Sequence, residues 1–209
     1  RGTVTIGDRT IAASELTPTW AREAGLRFVH QDIGVFDDMS VADNVAVVTG
    51  YPTGPGGKID RAALETSVRA LLQRFELDVD PAAPTGSLRP AARTMLAIAR
   101  ALHDQGASSR DGVLVLDEPT ASLSEHESAF LREMLRRYAS DGHTIVLITH
   151  HLSEVLDVAD DVTVLRDGRH VVTREREGLE YRDLVALIVG SDIPERWARP
   201  VLLAALVVV

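Results

Sequence analysis

The sequence predicts an α/β fold: a mostly parallel sheet covered by helices, with an inserted helical lobe and an N-terminal β-hairpin. Three observations carry this. Beyond residue 112, short apolar runs alternate with amphipathic stretches of helical period, the mark of a parallel sheet covered on both faces. Between about 40 and 102 the apolar spacing is helical, so that block forms a lobe between strands of the sheet. The opening Thr3-Val4-Thr5-Ile6 alternates with period two, turns at Gly7-Asp8 and resumes at Thr10-Ile11, which is a hairpin pattern.

The remaining elements follow in order. Residues 18–24 form a short helix closed by Gly25, and 26–30 a short buried strand. Ser40 starts a helix with Val41, Val45 and Val48 on one face, and Ser40 with Asp43 makes a capping pair. Residues 50–57, rich in Gly and Pro, are a loop. A clear amphipathic helix covers 61–75, with Leu64, Val68, Leu71, Leu72 and Phe75 on one stripe. A loop at 80–84 precedes a helix at 93–102, and 103–112 is polar and expected to be mobile. Strands are expected at 113–116, 144–149, 162–165 and 169–173, the last two joined by an Asp167-Gly168 turn. Helices are expected at 125–138, 152–159 and 181–189. The domain spans 1–190, and 191–209 reads as a linker or the start of a following segment.

Composition bounds the function. Hydrophobic residues make up 45% of 209, enough for a domain with a real core. The net charge of −9 argues against a nucleic-acid surface, since phosphate backbones require clustered Lys and Arg. There is no cysteine, hence no disulfide or thiol chemistry, and the seven His lack metal-ligand spacing. The apolar end, Val201 to Val209, is far shorter than the roughly 20 residues of a membrane span.

The strongest chemical signal is Val113-Leu114-Val115-Leu116-Asp117-Glu118-Pro119-Thr120. A buried strand delivers two adjacent carboxylates to its C-terminal end, where open α/β sheets bind ligands. One carboxylate can hold Mg²⁺, a hard cation that prefers oxygen. The other can polarise an attacking water. An isolated Asp-Glu pair would mean only that a strand ends in a polar turn. Here further features fall in order around it. Ile145-Val146-Leu147-Ile148-Thr149-His150 brings a His to the tip of the next strand, with His151 adjacent as a competing candidate. Upstream, Phe28-Val29-His30-Gln31-Asp32 places a Gln after a strand.

The run ending in Asp117-Glu118-Pro119-Thr120 resembles the Walker B segment of ABC-type ATPases, and Ala121-Ser122-Leu123 resembles their D-loop. Gln31 falls where the family has its Q-loop, followed by Ser40-Val41-Ala42-Asp43-Asn44, similar to the entry into the helical lobe. His150 resembles the switch histidine. The resemblance spans residue 1 to about 190. It implies a P-loop NTPase-like fold, ATP and Mg²⁺ as ligands, Asp117 and Gln31 at the metal, and Glu118, His150 and Gln31 in catalysis. Details such as Leu165-Arg166-Asp167-Gly168-Arg169 look like the tandem-cassette ATPases of monosaccharide importers of ribose, xylose or galactose type, and Leu184-Val185-Ala186-Leu187-Ile188-Val189-Gly190 resembles the end of their first cassette. That implies membrane permease subunits and a second cassette as partners, a sugar-binding protein indirectly, and a cytoplasmic, peripheral location on the inner face of the membrane. Sugar transport powered by ATP hydrolysis is the expected function.

The signature segment departs from the family pattern Leu-Ser-Gly-Gly-Gln. Here it reads Leu88-Arg89-Pro90-Ala91-Ala92. By resemblance these residues and Ser122 would meet the nucleotide of an opposite cassette. Arg89 stands where a Ser hydroxyl would be. Pro90 and Ala91 replace glycines and remove backbone freedom and one N–H donor. Two readings stay open, a degenerate cassette and an Arg89 that supplies charge to the phosphate, and the first is favoured. The pattern Gly-x-x-x-x-Gly-Lys-Ser/Thr occurs nowhere, and Gly54-Pro55-Gly56-Gly57-Lys58 has neither the spacing nor the hydroxyl residue. In the family that loop precedes the opening hairpin, so the chain is expected to be N-terminally truncated and inactive alone. A catalytically incompetent interaction module and a non-transport ABC ATPase are the alternatives.

Overall fold

A computed structural model describes residues 2–31, 33–103, 112–190 and 205–208. In chain order the elements are β1 (Thr3–Ile6), β2 (Arg9–Ala12), α1 (Pro18–Glu23), β3 (Leu26–Val29), α2 (Val41–Thr49), α3 (Arg61–Arg74), α4 (Pro90–Ala101), β4 (Val113–Asp117), α5 (Glu125–Ser140), β5 (Thr144–Thr149), α6 (Leu152–Val158), β6 (Asp161–Arg166), β7 (Arg169–Glu175), α7 (Tyr181–Val189) and β8 (Ala205–Val208). The chain divides into two compact units.

The first unit, Arg1–Gln31 with Arg110–Ala121 and Ala129–Val209, carries the strands. β1 and β2 form the expected antiparallel hairpin. The other six strands form one sheet in the order β3-β4-β5-β8-β6-β7. β3, β4 and β5 run parallel, as expected of apolar strands joined by helical crossovers. The rest of the sheet is antiparallel in its pairings. β7 returns on β6 through Asp167 and Gly168, both at positive φ, a two-residue turn that leaves no other direction. β8 lies between β5 and β6 and is antiparallel to both. The segment 191–209 therefore contributes a strand to the sheet. Of the polar stretch 103–112, expected to be mobile, residues 104–111 lie outside the described residues, as do 191–204.

Leu114, Val115 and Leu116 of β4 are buried in succession, whereas β5 alternates, with Ile145, Leu147 and Thr149 inward. α5 buries Leu131, Met134 and Leu135. It also buries Arg132, which pairs with Asp157 at 3.2 Å. The guanidinium groups of Arg136 and Arg176 donate to the carbonyls of Asp157 and Leu156, capping the C-terminal end of α6. α7 opens on a Glu180–Asp183 capping box and ends at Gly190, whose φ of 86° suits glycine.

The second unit, Asp32–Ser109 with Ser122–Ser128, is helical. α2, α3 and α4 pack on one another. Their interior is built from Val41, Val45, Leu64, Val68, Leu72, Met95, Leu96 and Ile98. The expected α2 face is corrected in one place. Val48 is exposed, because Ala42 and Ala46 complete the inward stripe instead. The Ser40 cap is present, its Oγ accepting from the Asp43 N–H at 3.0 Å. α4 starts three residues earlier than the periodicity suggested, since the fixed φ and missing N–H of Pro90 suit a first helical position.

A polar hub inside this unit had no counterpart among the expectations. Asn44 is fully buried. Its amide accepts from the Phe36 N–H at 2.8 Å and donates to the Phe36 carbonyl at 2.9 Å and to Thr85 Oγ1 at 2.8 Å. It thereby joins the approach to α2 with the turn before α4. Replacing Asn44 by Ala removes the partner of the Phe36 N–H and of Thr85 Oγ1, while the Phe36 carbonyl keeps the Met39 N–H at 3.1 Å, and a loss of about 1–3 kcal/mol is expected from the desolvation left uncompensated. Urea unfolding of the variant against the parent chain measures it.

Candidate functional site

The site grows from the C-terminal edge of the parallel strands. Val29 of β3 pairs with Leu116 of β4, and Asp117 of β4 with Ile148 of β5, so the three strands end nearly level. Asp117 is the last residue of β4 and half-buried. The chain then turns abruptly. Glu118 has φ 47°, in the left-handed region that a residue with a Cβ enters at a cost of order 1–2 kcal/mol. Its N–H nevertheless continues the ladder, donating to the Ile148 carbonyl at 2.9 Å.

That turn carries the Glu118 side chain across to β5. Its Oε1 lies 2.8 Å from Nδ1 of His150, the first residue after β5. Both side chains remain accessible, 26% exposed for Glu118 and 40% for His150, so a ligand at the strand ends can reach either. A carboxylate and an imidazole in hydrogen-bonding contact can share a proton and orient a water between them and an incoming group. The neighbouring His151 packs its ring against that of His150, tilted by 33° with the ring centroids 4.2 Å apart. It is turned to another task, donating its backbone N–H to Thr149 Oγ1 at 3.0 Å. Of the two histidines, His150 is the one that meets Glu118.

Gln31 lies exposed two residues beyond β3, at the same edge. Asp117, Glu118, His150 and Gln31 therefore all come from the ends of three adjacent parallel strands. Among the described residues no group of three or more His, Asp or Glu is arranged to hold a metal ion on its own. A two-carboxylate edge of oxygen donors nonetheless fits the chemistry of Mg²⁺, which keeps most of its waters and asks for one or two carboxylates.

The remaining candidate residues belong to the second unit. Arg89 is the exposed residue preceding α4, Pro90 its first helical residue, and Leu88 and Ala92 are half-buried on either side. Ala91 is buried, and its N–H is directed at Glu127 Oε1, 3.5 Å away. Ser122 is exposed in the same unit, just before the start of α5. Arg93 braces the segment ahead of α4, donating to the carbonyls of Leu88 and Gly86. Arg100 donates to the carbonyls of Ile33 and Gly34, and burial disfavours its charge.

Sequence reasoning missed Glu127. Its carboxylate accepts from the Ser124 N–H at 3.0 Å and pairs with Ser124 Oγ at 2.7 Å, a capping box at the start of α5. The spacing Ser124-Glu125-His126-Glu127 was the available signal. The Ser124 hydroxyl and backbone hydrogen bonds hold the Glu127 carboxyl below its ordinary value, with smaller help from the Ala91 N–H and the Arg89 charge. A depressed folded pKa means that the cap contributes fully above the ordinary glutamate range and is lost as pH falls through the folded value. In an NMR titration, the Ser124 amide proton should therefore shift with a midpoint below the roughly 4.3 of an unperturbed glutamate. Glu127→Gln should abolish that titration.

No family model matches the chain. Curated relatives do. It is 34% identical over 192 residues to the ribose import ATP-binding protein of Rhodococcus jostii, covering 92% of this chain and 37% of that protein. It is 39% identical over 179 residues to a ribose import ATP-binding protein of Rubrobacter xylanophilus, covering 86% and 34%. One from Burkholderia pseudomallei matches at 38% over 178 residues, covering 84% and 34%. The chain thus spans about a third of the length of these relatives. Among solved structures, an ATP-binding cassette captured as a dimer in a post-hydrolysis state with ADP and Pi superposes with a TM-score of 0.63 at 20% identity, covering 86% of this chain and 75% of that one. A metal-chelate type ABC transporter in an inward-facing conformation gives 0.61 at 22% identity, covering 78% and 64%. The fold is that of an ATP-binding cassette, and over about a third of their length the sequence relatives of this chain are sugar-import ATP-binding proteins.

Proposed function

We propose that these residues form part of an ATP-hydrolysing subunit that powers sugar import through an ABC transporter. The observation that carries the reading is the Glu118–His150 contact of 2.8 Å beside Asp117, in a chain whose sequence relatives include ribose import ATP-binding proteins. Glu118 is the proposed base that polarises the attacking water. His150 holds the Glu118 carboxylate and contacts the terminal phosphate. Asp117, with Gln31, is proposed to hold Mg²⁺ through water, and the ion when bound would offset charge on the phosphate oxygens. Leu88, Arg89, Pro90, Ala91, Ala92 and Ser122 are proposed to face the nucleotide of a second cassette.

Partner docking has support in the second unit. Phe36, Val47, Val48 and Ile59 expose apolar side chains there, the kind of surface a partner covers. A membrane permease is the proposed partner, with a sugar-binding protein acting through it. No helix among the described residues is long and apolar enough to cross a membrane. Attachment to the inner face of the membrane is accordingly proposed to run through the permease.

A glycine-rich phosphate loop with its lysine occurs nowhere in the 209 residues. Backbone N–H groups and a lysine are what hold β- and γ-phosphates in such sites. We therefore expect the 209 residues by themselves to bind Mg-ATP weakly or not at all. Titration calorimetry decides this, and micromolar binding would contradict it. In a protein that joins these residues to a phosphate loop, Glu118→Gln should lower hydrolysis about 10²–10⁴-fold while leaving ATP binding in place, the signature of a lost general base. Equal hydrolysis in variant and parent would remove Glu118 from the proposed role. Stimulation of that hydrolysis by permease and sugar-loaded binding protein tests the transport assignment.

A further inference from the structure

His150 sits on the first residue beyond a strand, where a side chain has wide freedom, yet its ring is directed at Glu118. The residues bonded to the chain around it are Thr149 and Glu154. Thr149 ends β5 and is fully buried, and Glu154 lies in the first turn of α6 with 4% exposure. Thr149 Oγ1 donates to Glu154 Oε2 at 3.0 Å and accepts from the His151 N–H at 3.0 Å. The Glu154 N–H donates to the His151 carbonyl at 3.0 Å, which closes the ring of bonds. The backbone is thereby tied on both sides of His150.

A carboxylate at the start of a helix commonly does no more than cap it. Glu154 does something different. Its carboxylate reaches out of the helix to a strand hydroxyl, and burying a charge is costly unless a hydrogen bond of this kind compensates it. The strand end, in turn, is tied to the other half of the site, because the Ile148 carbonyl beside Thr149 holds the Glu118 N–H. We infer that Thr149 and Glu154 are a positioning pair that aims the His150 imidazole at Glu118. The inference rests on the reading of Glu118 and His150 as the working pair, but its geometry can be tested without nucleotide.

The test reads the ring ¹⁵N resonances of His150 in the 209-residue chain at one fixed pH. Glu118→Ala supplies the reference for a lost contact. Thr149→Val, isosteric but without the hydroxyl, and Glu154→Ala should both move the His150 ring signals toward that reference. Thr149→Ser and Glu154→Gln, which keep a donor and an acceptor respectively, should hold them near the parent values. A purely structural role would not separate Ser from Val at the His150 ring. Parent-like His150 signals in a folded Thr149→Val chain would overturn the inference, as would equal displacement by Ser and Val. If Glu154→Ala fails to fold, the Thr149 pair still decides. Because the readout needs no ATP, absence of ATPase activity in a protein that joins these residues to a phosphate loop would sink the functional reading and leave the positioning result standing.

Discussion

One backbone hydrogen bond organises the candidate site. The Glu118 N–H donates to the Ile148 carbonyl just where the Glu118 backbone enters the left-handed region. The bond keeps the ends of β4 and β5 level while the chain reverses. It holds the strained φ of Glu118 together with the Ala121 N–H, which donates to the Glu118 carbonyl at 3.2 Å, and the His150 ring, since such conformations persist only where the surroundings over-determine them. With it, a carboxylate from one strand and an imidazole from the next meet at 2.8 Å. Strain, register and side-chain contact are three aspects of one arrangement.

The second unit depends on polar groups in a comparable way. Its helices pack through ordinary aliphatic side chains, but the segments between them are held by Asn44, Arg93 and Arg100, each bonding backbone groups of irregular chain. Irregular segments cannot satisfy their own carbonyls and N–H groups through a ladder. The buried Asn44 amide and the half-buried guanidinium groups of Arg93 and Arg100 do it for them, and away from bulk water an alternative with broken bonds is expensive. The exposed start of α4 inherits its position from Arg93, which anchors the carbonyl of Leu88.

Much of this was legible in advance. The bounds of β5 and α7 matched the periodicity, because their apolar positions coincide with what the fold buries. Asp117, Glu118 and His150 were legible as candidates because each lies within two residues of the end of a short apolar run, and strand ends are where a parallel sheet presents chemistry. Less was legible where burial was decided by partners distant in sequence. Val48 continued the α2 stripe by spacing, yet is exposed, and Ala42 and Ala46 are buried in its place. The contacts of Asn44, Glu127 and Glu154 could not be read from their places in the sequence. Their roles depend on bonds to Phe36 and Thr85, to Ser124 and to Thr149.

The sequence by itself determined the α/β class, the hairpin, the succession of strands and helices, and the candidate Asp117, Glu118 and His150. Those features follow from local periodicity and turn chemistry, which the chain carries residue by residue. Only the tertiary structure decided that His150 rather than His151 meets Glu118, and that the sheet is mixed, with Ala205–Val208 entering antiparallel between β5 and β6. Pairing direction and side-chain contact depend on which backbone groups remain to be satisfied once the other strands are in place. That is a property of the assembled sheet, and no window of sequence contains it.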